Sequence, residues 1–149
     1  MGSEMCIRDR LEGGAVHLDI VGQVKLPIPE ALQNLPNVTF HGGVARETVG
    51  TFYMSADMFV FPTFSDGFGL TQLEAQNYRL PILTSSQSGD VVEDEKTGVI
   101  LDDVKASKIA EHVNGFLDNP QKLSSFSKAI NPLGRYTISS LAKRLENIC

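Results

Sequence analysis

No hydrophobic run in this chain approaches the roughly 20 residues that a membrane-crossing helix needs, and no secretory leader pattern opens it. Cysteine is scarce. Cys6 and Cys149 lie near opposite ends without metal or redox spacing, which reads as two free cytosolic thiols rather than a disulfide. An excess of positive charge is missing too: 13 Lys and Arg stand against 18 Asp and Glu, for a formal net charge of −5. That balance argues against a broad nucleic-acid surface. His, Cys and Asp nowhere cluster at metal-ligand spacing. Internal repeats and low-complexity linkers are absent, and no Gly-x-Gly-x-x-Gly follows the first strand pattern, which disfavours a dinucleotide-binding domain.

What remains is an ordinary globular composition. The chain has 149 residues, 42% apolar and 21% charged, enough for one domain with a core and too short for two. Apolar runs bounded by turn residues predict strands over Ala15–Val21, Asn37–Phe40, Met58–Phe61, Pro81–Thr84 and Gly98–Leu101. Helical patterns separate them. Arg46–Ala56 carries Val49, Phe52 and Tyr53 on one face, and Leu70–Tyr78 carries Leu70, Leu73 and Asn77. Lys105–Leu117 repeats Ile109, Val113, Phe116 and Leu117, with Asp102 and Asp103 expected at its start, and ends before Asn119-Pro120. Short helices are expected at Glu30–Gln33, Gln121–Ala129 and Ile138–Ile148. Strands alternating with helices of this length predict an α/β fold with a doubly wound, Rossmann-like parallel sheet.

Residues 1–10, Met-Gly-Ser-Glu-Met-Cys-Ile-Arg-Asp-Arg, follow no period. Met-Cys-Ile-Arg-Asp-Arg resembles peptide read from sequencing-adapter DNA, so residues 1–10 are read as a non-native leader and 11–149 as the domain.

The most informative stretch is Phe59-Val-Phe-Pro-Thr-Phe-Ser-Asp-Gly-Phe-Gly-Leu-Thr-Gln-Leu-Glu74. A buried-strand pattern runs into a Pro and Gly loop, and a helix opens at Leu70. In an open α/β sheet, the carboxyl end of a strand and the start of the next helix form the usual ligand site. Free N–H groups and the helix dipole favour phosphate there. Asp66 and Glu74 bracket the junction with seven residues between them, and carboxylates accept hydrogen bonds from sugar hydroxyls. A phosphate cradle flanked by two hydroxyl acceptors points to a nucleotide-sugar. Gly22, Gly42-Gly43 and Gly67 with Gly69 each follow a strand on that same edge, where close backbone approach suits a ligand. An ordinary Asp-Gly turn and a solvated glutamate are the bland alternatives for Asp66 and Glu74 taken singly. Phe59, Phe61 and Phe64 read as core or loop packing, and His17 and His41 as core or rim histidines.

From Val16 to Leu101 the chain resembles the C-terminal, donor-binding domain of family 4 glycosyltransferases, which have the two-domain GT-B fold. The matching pieces occur in the family's order: His17-Leu-Asp-Ile-Val-Gly22, Leu35-Pro-Asn-Val-Thr-Phe-His-Gly-Gly-Val44, and Tyr53-Met-Ser-Ala-Asp-Met-Phe-Val-Phe-Pro-Thr63. Ser65-Asp-Gly-Phe-Gly-Leu-Thr-Gln-Leu-Glu-Ala75, Leu80-Pro-Ile-Leu-Thr-Ser85 and Val91-Val-Glu-Asp-Glu-Lys-Thr-Gly98 follow. The resemblance implies transfer of a hexose from a nucleoside diphosphate sugar to an acceptor hydroxyl with retention, and no cofactor or metal. It implies that Glu74 accepts the ribose 2′ and 3′ hydroxyls. Asp66 takes the place of the family's first glutamate, which holds donor-sugar hydroxyls and helps place the leaving diphosphate. The amides of Gly67, Phe68, Gly69 and Leu70 would lie beside sugar and diphosphate, and Gly43-Val44 beside the nucleobase.

The chain departs from the pattern at three places. Asp66 is one methylene shorter than the usual Glu. Ser85-Ser-Gln-Ser-Gly-Asp90 lacks the paired glycines and Pro-Glu common there. The family's Arg and Lys that neutralise the diphosphate have no match among residues 1–14. The domain is therefore expected to be incomplete at its N-terminus, and the acceptor (a glycan, lipid or small molecule) to bind a further N-terminal domain. On this reading the 149 residues alone are inactive, and the full-length enzyme is cytoplasmic, free or peripheral to the membrane. The alternative is a non-catalytic GT-B-like module that binds a nucleotide or a partner.

Overall fold

The computed structural model describes residues 4–10, 15–131, 136 and 137. Its strands are β1 (Glu4–Arg10), β2 (Ala15–Val21), β3 (Val38–Gly42), β4 (Met58–Phe61), β5 (Ile82–Ser85) and β6 (Gly98–Leu101). They form one sheet in the order β3-β2-β1-β4-β5-β6. The helices are α1 (Glu30–Gln33), α2 (Arg46–Ser55), α3 (Leu70–Asn77), α4 (Ala106–Asp118) and α5 (Pro120–Ala129). The helix expected at Ile138–Ile148 lies outside the described residues.

Strand β4 shows why the sheet is covered on both faces. Phe59 and Phe61 point to one side, where they join Tyr53, Ala75, Leu80, Ile82 and Val92 beneath α2 and α3. Met58 and Val60 point to the other, against Leu83, Val99, Leu101, Phe116 and Phe126 beneath α4 and α5. Alternate residues of a strand face opposite sides, so a strand buried on both faces must be apolar throughout. Burying each such side chain contributes about 1.5–3 kcal/mol. Pro120 opens α5 directly after α4, a first-turn position where its missing N–H costs nothing.

The parallel sheet has one exception. Residues 4–10, expected to stand outside the fold, form β1 at the centre of the sheet, antiparallel to both β2 and β4. Only residues 11–14 separate β1 from β2, and a connection that short permits an antiparallel hairpin but not a parallel crossover. Pairs β2·β3, β4·β5 and β5·β6 are parallel, so their carboxyl ends share one edge.

Two helical readings shift. Leu70, Leu73 and Asn77 do not form the buried face of α3; Gln72, Ala75 and Gln76 do, and Leu70 is 67% exposed. Asp102 and Asp103 precede α4 instead of starting it, with Asp103 paired to Lys105 at the cap position. That carboxylate raises the pKa of Lys105, mainly through its hydrogen bond.

Candidate functional site

The sheet order reverses at its centre, where the chain leaves the β3 side through α2 and enters β4. Carboxyl ends of strands at such a reversal are where open α/β sheets bind ligands. Here the turn after β4 is held by three contacts. The Asp66 carboxylate accepts the Gly69 N–H at 2.7 Å, the Asp66 N–H donates to the Gln87 carbonyl at 3.1 Å, and the Ser85 hydroxyl donates to the Thr63 carbonyl. Gly69, with φ 65° and ψ 60°, is the left-handed residue that precedes α3. Gly42 has the same φ at the end of β3, and Gly22 has φ 124° after β2, so each of the three strand-end turns contains a glycine at positive φ.

The first N–H groups of α3, at Leu70 and Thr71, have no intrahelical partner. Gln72 turns its own N–H to the Gly69 carbonyl at 2.8 Å. Asp66 and Glu74 are both exposed. Glu74 stands one turn into α3 and accepts the Tyr53 hydroxyl from α2 at 3.3 Å. It borders a cavity of about 480 Å³ between α2 and α3, lined also by Arg46, Val49, Leu73, Asn77 and Tyr136. Gly43 and Val44 lie just ahead of Arg46, in the segment that leads from β3 into α2.

The structure thus joins Asp66 to Gly69 directly and sets Glu74 down the same helix, facing the cavity. Tyr53, Arg46 and Asn77 were not singled out as site residues. Arg46 and Asn77 were hidden because the α2–α3 groove is formed by two helices separated by β4, and no local spacing marks it. Phe59 and Phe61 are core, as expected, but Phe64 is 76% exposed. Phe68 is less so, and its ring meets Tyr136 edge-on at 5.9 Å.

The histidines have structural partners. His41 Nε2 donates to Asp19 Oδ1 at 2.7 Å, and its ring packs edge-on against Phe52. His17 bonds Thr39 Oγ1 at 3.0 Å. Among the described residues no group of three or more His, Cys, Asp or Glu could hold a metal ion, and no helix is long and apolar enough to cross a membrane.

The family profile described as "Glycosyl transferases group 1" matches residues 9–131. The chain belongs to that family. It is 31% identical over 94 residues to the D-inositol 3-phosphate glycosyltransferase of Arthrobacter sp. (strain FB24), an alignment covering 62% of this chain and 22% of that enzyme. The group 1 chain therefore spans about a fifth of the length of that relative. Its fold is similar to the crystallised C-terminal domain of LpcC, a group 1 glycosyl transferase from Francisella tularensis, with a TM-score of 0.62 at 18% identity over 68% of this chain and 55% of that one. It is also similar to Anabaena HepE in complex with UDP-glucose, with a TM-score of 0.64 at 17% identity over 79% and 33% of the two chains. The α/β, Rossmann-like domain described above is the C-terminal type of a GT-B glycosyltransferase.

Proposed function

We propose that this domain binds the donor of a retaining hexosyltransferase, a nucleoside diphosphate sugar, and that transfer to an acceptor hydroxyl draws on residues beyond these 149. The observation that carries the reading is the position of Glu74, an exposed carboxylate on α3 at the edge of the α2–α3 cavity. It lies just past a glycine turn that presents the helix start. The Glu74 carboxylate accepts the ribose 2′ and 3′ hydroxyls. Asp66 holds hydroxyls of the donor sugar. The amides of Gly67, Phe68, Gly69 and Leu70, with the positive end of the helix, bind the diphosphate and stabilise its charge as it departs. Gly43 and Val44 approach the base. Two likenesses support this reading: HepE was solved with UDP-glucose, and a Mycobacterium tuberculosis relative 31% identical over 123 residues is named as GDP-mannose-dependent. The acceptor, whether glycan, lipid or small molecule, binds outside this domain, and the whole enzyme works in the cytoplasm without a cofactor.

Calorimetric titration of UDP, GDP, ADP and their glucose or mannose sugars into the chain and into Glu74→Ala tests the reading. Saturable binding of one nucleotide, weakened about tenfold or more in the variant, is expected from loss of a charge-assisted hydrogen bond pair. Equal binding by both proteins would remove Glu74 from the site and favour a module without a ribose-binding carboxylate.

A further inference from the structure

Glu74 has a partner that no spacing in the motif anticipates. Tyr53 comes from α2, is 3% exposed, and places its hydroxyl 3.3 Å from Glu74 Oε2. An ionised carboxylate only accepts hydrogen bonds, so the phenol is the donor. The ring that carries this donor is fixed on two sides. Phe59 meets it edge-on with centroids 5.8 Å apart, and Tyr78 stacks on it at 5.5 Å and 29°. Tyr78 in turn reaches over Gly50, where a Cβ would stand 2.6 Å from its hydroxyl. A glutamate side chain on a helix surface otherwise samples several rotamers, and selecting one costs conformational entropy.

We infer that Tyr53 is the positioning residue of the donor site: its hydroxyl holds the Glu74 carboxylate toward the cavity, ready for a cis-diol. The inference rests on the reading of Glu74 as the ribose acceptor and adds to it a residue that does not itself touch the nucleotide. One carboxylate oxygen, Oε2, is anchored to the protein. The remaining acceptor sites of the carboxylate are left for the two ribose hydroxyls. The anchor sits on a buried aromatic ring, so it costs little further ordering when ligand arrives. Gly50, Tyr78, Tyr53 and Glu74 thereby form one line of contacts from the middle of α2 to the site.

Tyr53→Phe removes the hydroxyl and keeps the ring. Affinity for the nucleoside diphosphate that binds best is compared with affinity for its 2′,3′-dideoxy counterpart, in the wild-type chain, Tyr53→Phe, Glu74→Ala and the double variant. The expected result is a five- to tenfold loss for the ribonucleotide in Tyr53→Phe, no change for the dideoxy compound, and no further loss when Tyr53→Phe is added to Glu74→Ala. A merely structural role of Tyr53 would weaken both nucleotides alike. If Glu74→Ala weakens ribonucleotide binding and Tyr53→Phe does not, the positioning role is overturned and the reading of Glu74 stands. If Glu74→Ala also has no effect, or if the wild-type chain binds no nucleotide, both are overturned.

Discussion

The Asp66 carboxylate accepts the backbone N–H of Gly69 at 2.7 Å, closing from within the turn that launches α3. One side-chain oxygen is committed to the loop, on a residue that remains exposed. The Asp66 side chain is thus already engaged three residues along the backbone.

Asp66→Asn should separate the turn contact of this residue from its proposed contact to the donor sugar. Its amide oxygen still accepts the Gly69 N–H, so stability against urea should change by less than about 0.5 kcal/mol, whereas Asp66→Ala should lose about 1–2 kcal/mol. Both variants should bind the sugar nucleotide less tightly relative to the free nucleotide. An Asp66→Ala chain as stable as wild type would mean that the contact does not hold the turn.

Gly69→Ala should be worse tolerated than its size implies. Its φ of 65° is left-handed, and an added Cβ would stand 2.5 Å from Gln72 Nε2 and 3.2 Å from the Phe61 ring. Left-handed backbone costs an L-residue about 1–2 kcal/mol. The Gln72 amide is fully buried, so it has nowhere to swing. A loss of about 2–3 kcal/mol of stability, read as a lower urea midpoint, is expected, and a midpoint within error of wild type would contradict it.

Gln72→Met should stabilise the domain. Gln72 is fully buried, and both of its amide atoms lack a hydrogen-bond partner among the described residues. Each buried unpaired polar group costs about 1–3 kcal/mol, while an apolar side chain of the same length fills the space without that penalty. Thermal melts should show a rise of several degrees. A drop in melting temperature would reveal that the amide has a partner, such as a buried water.

Arg79→Gly should also stabilise. Arg79 has φ 59° and follows the last turn of α3, with its N–H bonded to the Gln76 carbonyl and that of Leu80 to the Ala75 carbonyl. This is the helix-ending arrangement in which glycine is the usual occupant. Relief of the left-handed strain, less the greater freedom of glycine in the unfolded chain and the lost Nη1 contact to the Ile130 carbonyl, leaves at most about 0.5 kcal/mol. Chemical denaturation of the two proteins side by side decides the sign.

Most of the architecture was legible because local patterns and tertiary demands agree. Met58 to Phe61 reads as a two-sided buried strand and is one, and Ala15–Val21 and Gly98–Leu101 match residue for residue. Ile109, Val113 and Phe116 repeat at helical spacing and pack on the core. Where reading failed, composition pointed the wrong way. In α3 the apolar Leu70 and Leu73 drew attention away from Gln72 and Gln76. Yet Ala75 is the small residue that lets the helix approach the sheet, and the glutamines beside it are carried inward. Gln76 answers burial by donating to the Val91 carbonyl at 3.3 Å and to Thr97 Oγ1 at 3.4 Å, contacts made across the fold that no window along the chain contains.

By itself the sequence determined the order of strands and helices from β2 onward and the glycine turn that begins α3. Both carboxylates were marked as well, since hydrophobic period, glycine backbone freedom and helix-start chemistry all act over a few neighbouring residues. Tertiary structure alone decided three things. It placed β1 antiparallel in the centre of the sheet, because the short connection to β2 allows no other hand-off. It turned α3 so that Glu74 borders a cavity shared with α2. It brought the Tyr53 hydroxyl to that carboxylate across 21 positions of chain, a meeting set by how two helices pack on one face of a sheet.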